Sequence, residues 1–126
     1  MLEKADVIFT YTRAQAIEDG VLVDVTSTAK EAGFKIPVAI THRVWAEVIA
    51  PDDDARQAGE TGTGRLWDVL WMLHVAIRSQ QAASSQVHYA VLATDKGNLR
   101  KMTLKALCGP GDHGEPVATI MFLDED

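Results

Sequence analysis

The chain has 126 residues, 47% of them hydrophobic and 24% charged, which is the composition of one ordinary globular domain able to bury its own core. A single cysteine, Cys108, excludes an intramolecular disulfide and favours a reducing compartment, and no apolar run approaches the roughly 20 residues of a membrane span. The net charge of −6 argues against direct binding to nucleic acid or to an anionic membrane surface. We therefore expect one soluble cytoplasmic domain over residues 1–126.

The first predicted elements are short. An apolar run covers residues 7–11. Thr12 has the hydroxyl of an N-cap residue, and Gly20 tolerates the left-handed backbone that ends many helices, so a helix is predicted over residues 13–19. The apolar, β-branched residues 21–25 fit a strand, but their assignment stays ambiguous.

A second short helix and a strand are predicted next. Thr26 or Ser27 can cap the helix, which ends at Gly33. Residues 34–40 suit a strand. Pro37 has no N–H to give to a ladder, which favours a position at the edge of the sheet.

A third helix is predicted after Thr41, its N-cap, and is expected to pack on the sheet before Pro51 ends it. Its apolar residues follow the helical period: Val44, Trp45, Val48 and Ile49. Residues 51–64 are rich in acids and glycine and have little that could be buried, which predicts a flexible acidic surface loop.

The longest helix is predicted over residues 65–82. Its apolar positions at helical spacing are Leu66, Val69, Leu70, Leu73, Ala76 and Ile77. Trp67 and Trp71 stand four apart on it, and Trp45 lies on the preceding helix. This spacing favours core packing. The alternative is that Trp67 or Trp71 anchors a partner protein, because aromatic residues dominate interface hot spots.

The second half predicts a three-stranded antiparallel meander. Residues 87–92 alternate as a strand, residues 95–98 supply a hairpin turn, and the apolar positions of residues 101–106 alternate with basic ones that are expected to face water. Residues 108–116 form a glycine- and proline-rich turn before a last strand over residues 117–122. The predicted fold is α+β: an antiparallel sheet of three to four strands against one long helix and two or three shorter helices.

No metal, cofactor or catalytic site is predicted. The histidines, which are His42, His74, His88 and His113, show no paired ligand spacing. His74 is expected on a partly buried helix face, and His88 and His113 in solvent. Cys108 has no neighbour that would activate a thiol, so it is expected to be buried and inert. The loop at residues 109–115 lacks the Lys and Ser or Thr of a phosphate-binding loop.

Charge is segregated along the chain. Residues 95–105 hold four bases and one acid, which leaves eight bases against 17 acids elsewhere. Carboxylates spaced like phosphates can compete for the groove of a nucleic-acid-binding protein. The alternative is that they serve solubility alone. The residues predicted to bind a partner in this way are Asp52, Asp53, Asp54, Glu60, Asp112 and Glu115.

The sequence also resembles a family of short proteins from bacterial plasmids, phages and integrated elements. The resemblance covers nearly the whole chain and is carried by residues 11–25, 31–34 with 37–39, 64–72, and 109–112 with 114–117. Membership in such a family implies an accessory role, such as countering host restriction or CRISPR defence. Small acidic proteins of that kind resemble anti-CRISPR and anti-restriction inhibitors, several of which imitate DNA. The family resemblance assigns no role to individual residues.

Three functional hypotheses follow. The first is a monomeric, non-enzymatic inhibitor of a bacterial defence complex, with the nucleic-acid-binding subunit of a CRISPR effector as its partner; one form of this hypothesis is a DNA mimic. The second is a small-molecule-binding or enzymatic accessory protein that uses the loop at residues 109–116 together with Arg65. In a competing interpretation, Arg65 instead pairs with a carboxylate in a structural ionic network. The third is an interaction module that binds through Trp67 or Trp71.

Overall fold

The computed structural model describes residues 11–50, 62–80, 85–95 and 98–125. The helices are α1 (Arg13–Glu18), α2 (Thr26–Glu31), α3 (His42–Val44) and α4 (Gly62–Gln80), and α3 continues as a π-helical turn over Trp45–Ile49. The strands are β1 (Leu22–Asp24), β2 (Val38–Thr41), β3 (Gln86–Asp95), β4 (Asn98–Pro110) and β5 (Pro116–Phe122). None of the described helices is long and apolar enough to cross a membrane.

The strands form one sheet in the order β1-β2-β5-β4-β3. The predicted α+β class with one long helix is confirmed, and so is the antiparallel meander of β3, β4 and β5. The sheet itself was predicted wrongly: it has five strands among the described residues, and β2 pairs with β5 in parallel, with Val38 opposite Ala118. This pair joins segments about 80 residues apart in the chain, so no local pattern announces it.

β2 lies inside the sheet, between β1 and β5, and not at the predicted edge. Pro37 stands just before the strand, where its missing N–H costs nothing, and its carbonyl accepts a hydrogen bond from the N–H of Ala118 at 2.9 Å. The first strand N–H, that of Val38, is satisfied by the hydroxyl of Thr26 at 3.2 Å. The strand is buried throughout its apolar part, which explains its continuous apolar sequence.

The core lies between the sheet and α2, α3 and α4. Its largest fully buried side chains include Ile40, Ile49, Leu70, Leu73, Leu104 and Ile120. On α4, the predicted apolar positions Leu66, Val69, Leu70 and Leu73 are buried, whereas Ile77 near the end of the helix is 42% exposed. The opposite face of the sheet carries the groove described below, which Arg13 of α1 borders.

The helix ends show which capping predictions were correct. Thr12 caps α1 in a full capping box with Gln15, and Gly20 has the left-handed backbone expected of it, with φ 80°. Neither Thr26 nor Ser27 is the N-cap of α2. That position is Val25, and the carboxylate of Asp24 accepts from the N–H of Thr26 at 3.0 Å.

The third helix begins as predicted, because the hydroxyl of Thr41 accepts from the N–H of Val44 at 3.3 Å. It then widens into the π-helical turn, which closes with a bond from the N–H of Ala50 to the carbonyl of Trp45 at 2.8 Å. Most of the loop predicted over residues 51–64 lies outside the described residues. Its last three residues, 62–64, are not loop but the first turn of α4.

Candidate functional site

Two of the acids predicted to bind a partner form hydrogen bonds within the chain. Asp112, in the turn between β4 and β5, accepts from the backbone N–H of Arg13 at 2.8 Å and of Ala14 at 3.0 Å, one bond to each carboxylate oxygen. These bonds at the start of α1 lower the pKa of Asp112 below its ordinary value. Glu115 accepts from the N–H of His113 at 3.0 Å. Both carboxylates therefore hold the turn to the helix and to itself.

The other predicted partner-binding acids, Asp52, Asp53, Asp54 and Glu60, lie outside the described residues. The described part of the chain holds nine Lys and Arg against eleven Asp and Glu, a balance of −2 out of the total of −6. Most of the net negative charge therefore belongs to segments whose placement is not described. The prediction that these four acids bind a partner stays a prediction.

Two basic residues of β4, at positions 101 and 105, differ in their exposure to solvent. Lys101 on β4 is exposed as predicted, but Lys105 is only 9% exposed. Lys105 stands in register between His88 on β3 and Met121 on β5. The pKa of Asp124 is lowered chiefly by its hydrogen bond from Arg43 and, to a smaller extent, by the charge of Lys105. The prediction of a fully solvated basic face was wrong at this residue, because the alternation cannot show what covers the far side of a strand.

A groove of about 780 Å³ lies on the face of the sheet that points away from α4. Its lining includes apolar side chains of β1, β4 and β5, which are Leu22, Leu107, Val117 and Met121. Arg13, on α1, lines one side of it. Its guanidinium donates to the hydroxyl of Thr119 at 2.6 Å and to the carbonyl of Ala118 at 2.8 Å. Partial burial lowers the pKa of Arg13, although an arginine stays charged at any ordinary pH.

The other side of the groove is held by Glu125 and Arg43. One carboxylate oxygen of Glu125 accepts from the hydroxyl of Thr41 at 2.9 Å and from the N–H of Phe122 at 2.8 Å. Arg43 pairs with Asp124 at 2.8 Å and lies over the ring of Phe122, 4.5 Å from its centroid. These contacts fix the chain end after β5 against the start of α3.

Cys108 lines the same groove and is exposed, so the prediction that it is buried was wrong. It lies near the end of β4, beyond the buried Leu104 and Ala106, where the core no longer covers the strand. The solvent exposure predicted for His88 and His113 and the partial burial predicted for His74 are confirmed. Within the described residues, no three His, Cys, Asp or Glu side chains come together in a way that could hold a metal ion.

Arg65 is buried on the other side of the sheet. Its guanidinium donates to the carbonyl of Val48 at 3.1 Å, and the side chain borders a small cavity between α4 and β3. The loop at residues 111–115 instead contacts the start of α1. The structure therefore does not bring Arg65 to this loop, as the second hypothesis required.

The outer face of α4 carries two exposed tryptophans. Trp67 is 38% and Trp71 46% exposed, and Val75, one turn further on, is 38% exposed. The prediction of core packing was wrong for Trp67 and Trp71; Trp45, in contrast, packs against the core. We call the surface formed by Trp67, Trp71, His74, Val75 and Arg78 the tryptophan face.

The tryptophan face has internal order. The ring of Trp71 stacks on that of His74, with centroids 5.4 Å apart and planes at 26°. His74 also meets the edge of Phe34 at 6.0 Å, so the stack is anchored to the core side of the helix. Trp71, His74, Val75, Arg78 and Ser79 line a shallow depression of about 290 Å³. The face thus presents a partly fixed aromatic ring beside a cation.

Fold and surfaces together define an α+β domain with a mixed five-stranded sheet and two candidate binding surfaces, the groove and the tryptophan face. The chain belongs to a family of unknown function, DUF6573, whose model matches residues 1–126. No curated protein and no solved structure matches the chain.

Proposed function

We propose that the chain is a non-catalytic binding protein that contacts its partner through the tryptophan face. The observation that carries this proposal is the exposure of Trp67 and Trp71, side by side on the outer face of a 19-residue helix. Exposed, contiguous aromatic surface on a soluble domain typically marks an interaction site. Tryptophan is also the residue most enriched among interface hot spots.

Docking through the tryptophan face would bury apolar area at a low cost in side-chain entropy. Covering the exposed part of a tryptophan removes apolar area from water, and the stack on His74 already restricts the ring of Trp71, so little side-chain entropy is lost. The helix beneath is held by a fully buried row that includes Val69, Leu70 and Leu73. A rigid helix that presents aromatic anchors is a recurrent way to bind a protein groove.

The partner class follows from charge. A net charge of −6 accelerates encounter with a basic surface, and nucleic-acid-binding proteins provide such surfaces. The proposed partner is therefore a nucleic-acid-binding subunit of a bacterial defence complex, a CRISPR effector being the first candidate, which the chain would inhibit. In this proposal Asp52, Asp53, Asp54 and Glu60 steer the approach, and the tryptophans hold the complex together.

The test distinguishes electrostatic acceleration of association from stabilisation of the bound complex. The tagged protein is incubated with lysates of CRISPR-carrying bacteria, and any captured nucleic-acid-binding subunit is purified for binding kinetics at low and high salt. Trp71→Ala should weaken binding about 30-fold, the effect of a hot spot of roughly 2 kcal/mol, through faster dissociation at both salt concentrations. Neutralising Asp52, Asp53, Asp54 and Glu60 should slow association at low salt only.

The matched control is Leu99→Ala, because Leu99 is 68% exposed on β4, away from α4. It should bind like the unchanged protein. Unchanged affinity of a folded Trp67→Ala, Trp71→Ala double variant would remove the tryptophan face from the function. Binding lost only on acid neutralisation would favour the acidic-mimic mechanism instead.

A second function is favoured by the groove on the sheet. Its volume of about 780 Å³ lies in the range of small-molecule sites, and it begins at residues 107–110, next to the loop that the second hypothesis named. The guanidinium of Arg13 would orient an acidic ligand there. A rise in melting temperature with small carboxylates or phosphate esters that disappears in Arg13→Met would support this function. No shift with either class would remove it.

A further inference from the structure

β3 forms one edge of the sheet, and its length is unusual for an edge. It has ten residues, whereas β1 at the opposite edge has three. Its pairing with β4 runs without a bulge from Gln86 opposite Leu107 to Asp95 opposite Asn98. Its sequence contains no Pro, Gly, Lys or Arg, and its one acid is the last residue. The strand itself, as the structure describes it, therefore lacks the Pro, Lys, bulge and short length that protect many edge strands.

The register shows which backbone groups of β3 point outward. The N–H of Cys108 donates to the carbonyl of Ser85 at 2.8 Å, and Ser85 stands opposite Cys108 in continuation of the β3–β4 register. Residues that bond to the neighbouring strand recur at every second position of an antiparallel ladder. The odd-numbered residues of β3 therefore bond to β4. Ala90 and Leu92 direct their N–H and C=O groups to the open edge.

Exposed apolar side chains lie on both sides of the middle of this edge. Leu92 is 63% exposed on the groove side of the sheet, and Ala90 is half-buried beside it. On the helix side, Asp68 borders a small cavity with residues 91–93, and Met72, one turn further along the same side of α4, is 39% exposed. An edge strand whose backbone groups point outward beside exposed apolar side chains binds another strand favourably.

We propose that β3 pairs antiparallel with β3 of a second copy of this chain, about a two-fold axis through Ala90. This register puts Ala90 opposite Ala90 of the second copy, and their outward N–H and C=O groups bond to each other. Val91 then lies opposite Tyr89, so the buried faces of the two sheets continue into one another. The two sheets become one of ten strands.

The sequence of β3 favours a second copy as the occupant. In this register Leu92 lies opposite His88, and Asp95 opposite Ser85, so no like charges meet across the axis. A shift by one residue would place the apolar side of one strand beside the polar side of the other. The dimer differs from the monomer expected from the sequence, and it leaves the tryptophan face, on the outer side of α4, available to a partner.

Cross-linking tests the register. In a Cys108→Ser background, Ala90→Cys should form a covalent dimer under mild oxidation, because hydrogen-bonded antiparallel residues have Cα atoms about 5.5 Å apart, which suits a disulfide. The matched control is Thr103→Cys. Thr103 lies opposite Ala90 on β4, one strand further from the proposed axis. The Cα atoms of Thr103 in the two copies would therefore lie about 15 Å apart. Equal cross-linking of both variants would overturn the proposed pairing.

Sedimentation of the full chain tests the dimer itself. The unchanged protein should approach twice the monomer mass of 13.7 kDa as its concentration rises. Ala90→Lys sets two cations against each other on the axis and should weaken the dimer at least about tenfold, whereas Thr103→Lys should not. A monomer at every concentration would overturn the proposal. So would an Ala90→Lys variant, folded by circular dichroism, that dimerises like the unchanged protein.

Discussion

The bond between Arg13 and Thr119 offers a direct test of how α1 is fixed to the sheet. The guanidinium of Arg13 makes one bond to the hydroxyl of Thr119 and another to the carbonyl of Ala118. Arg13→Met keeps a long, unbranched side chain in place and removes both bonds. Thr119→Val keeps the shape of the side chain and removes only the hydroxyl acceptor.

The magnitudes follow from the partial exposure of the site. Hydrogen bonds to a charged group contribute about 1.5–3 kcal/mol each when buried, and water in the open groove reduces this value. We expect Arg13→Met to lower the free energy of unfolding by about 2–3 kcal/mol. Thr119→Val should lower it by about 1 kcal/mol, because the guanidinium keeps its bond to Ala118 and can turn its freed N–H to water.

The assay is urea unfolding of the two single variants and the double variant, followed by circular dichroism. If the bond is formed, the double variant should be less destabilised than the sum of the single ones by about 1 kcal/mol. The dependence of the unfolding free energy on urea concentration should not change, because the same core is exposed in each case. Additive effects within about 0.3 kcal/mol would refute the bond as an energetic link between α1 and β5.

Three further predictions concern single residues. Thr41→Val should lower the unfolding free energy by about 1 kcal/mol in urea titrations, because the N-cap of α3 and the bond to Glu125 are lost, whereas Thr41→Ser should retain most of it. The lowered pKa of Asp112 stabilises the fold above its ordinary value of 3.8, and this contribution is lost as the pH falls through the folded-state pKa. Asp112→Asn should therefore unfold at lower urea than the unchanged protein at pH 7, and the difference should shrink in acid; a constant difference would contradict the assignment. Burial raises the pKa of Tyr89, and its hydroxyl has no hydrogen-bond partner among the described residues, so Tyr89→Phe should stabilise the protein by about 1 kcal/mol in thermal unfolding.

The candidate surfaces were only partly predictable. The sequence indicated that Trp67 or Trp71 could bind a partner, but its periodicity favoured the core. The reason is that α4 is apolar on both sides: Leu66 and Leu70 lie on one and the tryptophans on the other. A helical period shows which residues share a face, but it does not show which face meets the sheet.

The contacts that build the groove could not be predicted from the sequence. Nothing in the sequence places Arg13 beside Thr119, or Thr41 beside Glu125, because these partners lie more than 80 residues apart. The acid at position 112 was predicted to face a partner. In the structure, Asp112 instead caps the N-terminus of α1, 98 residues away in the chain. Nothing in the sequence indicated this second cap, because Thr12 already caps α1.

What the sequence determined by itself is local. The cap at Thr12, the left-handed turn at Gly20 and the meander of β3, β4 and β5 were all read correctly, because each depends on a few neighbouring residues or on short connections. The tertiary structure alone decided the parallel pairing of β2 with β5, the burial of Lys105 and the exposure of the tryptophans. These depend on which distant segments meet, and that choice is made by burial over the whole chain and not by any stretch of it.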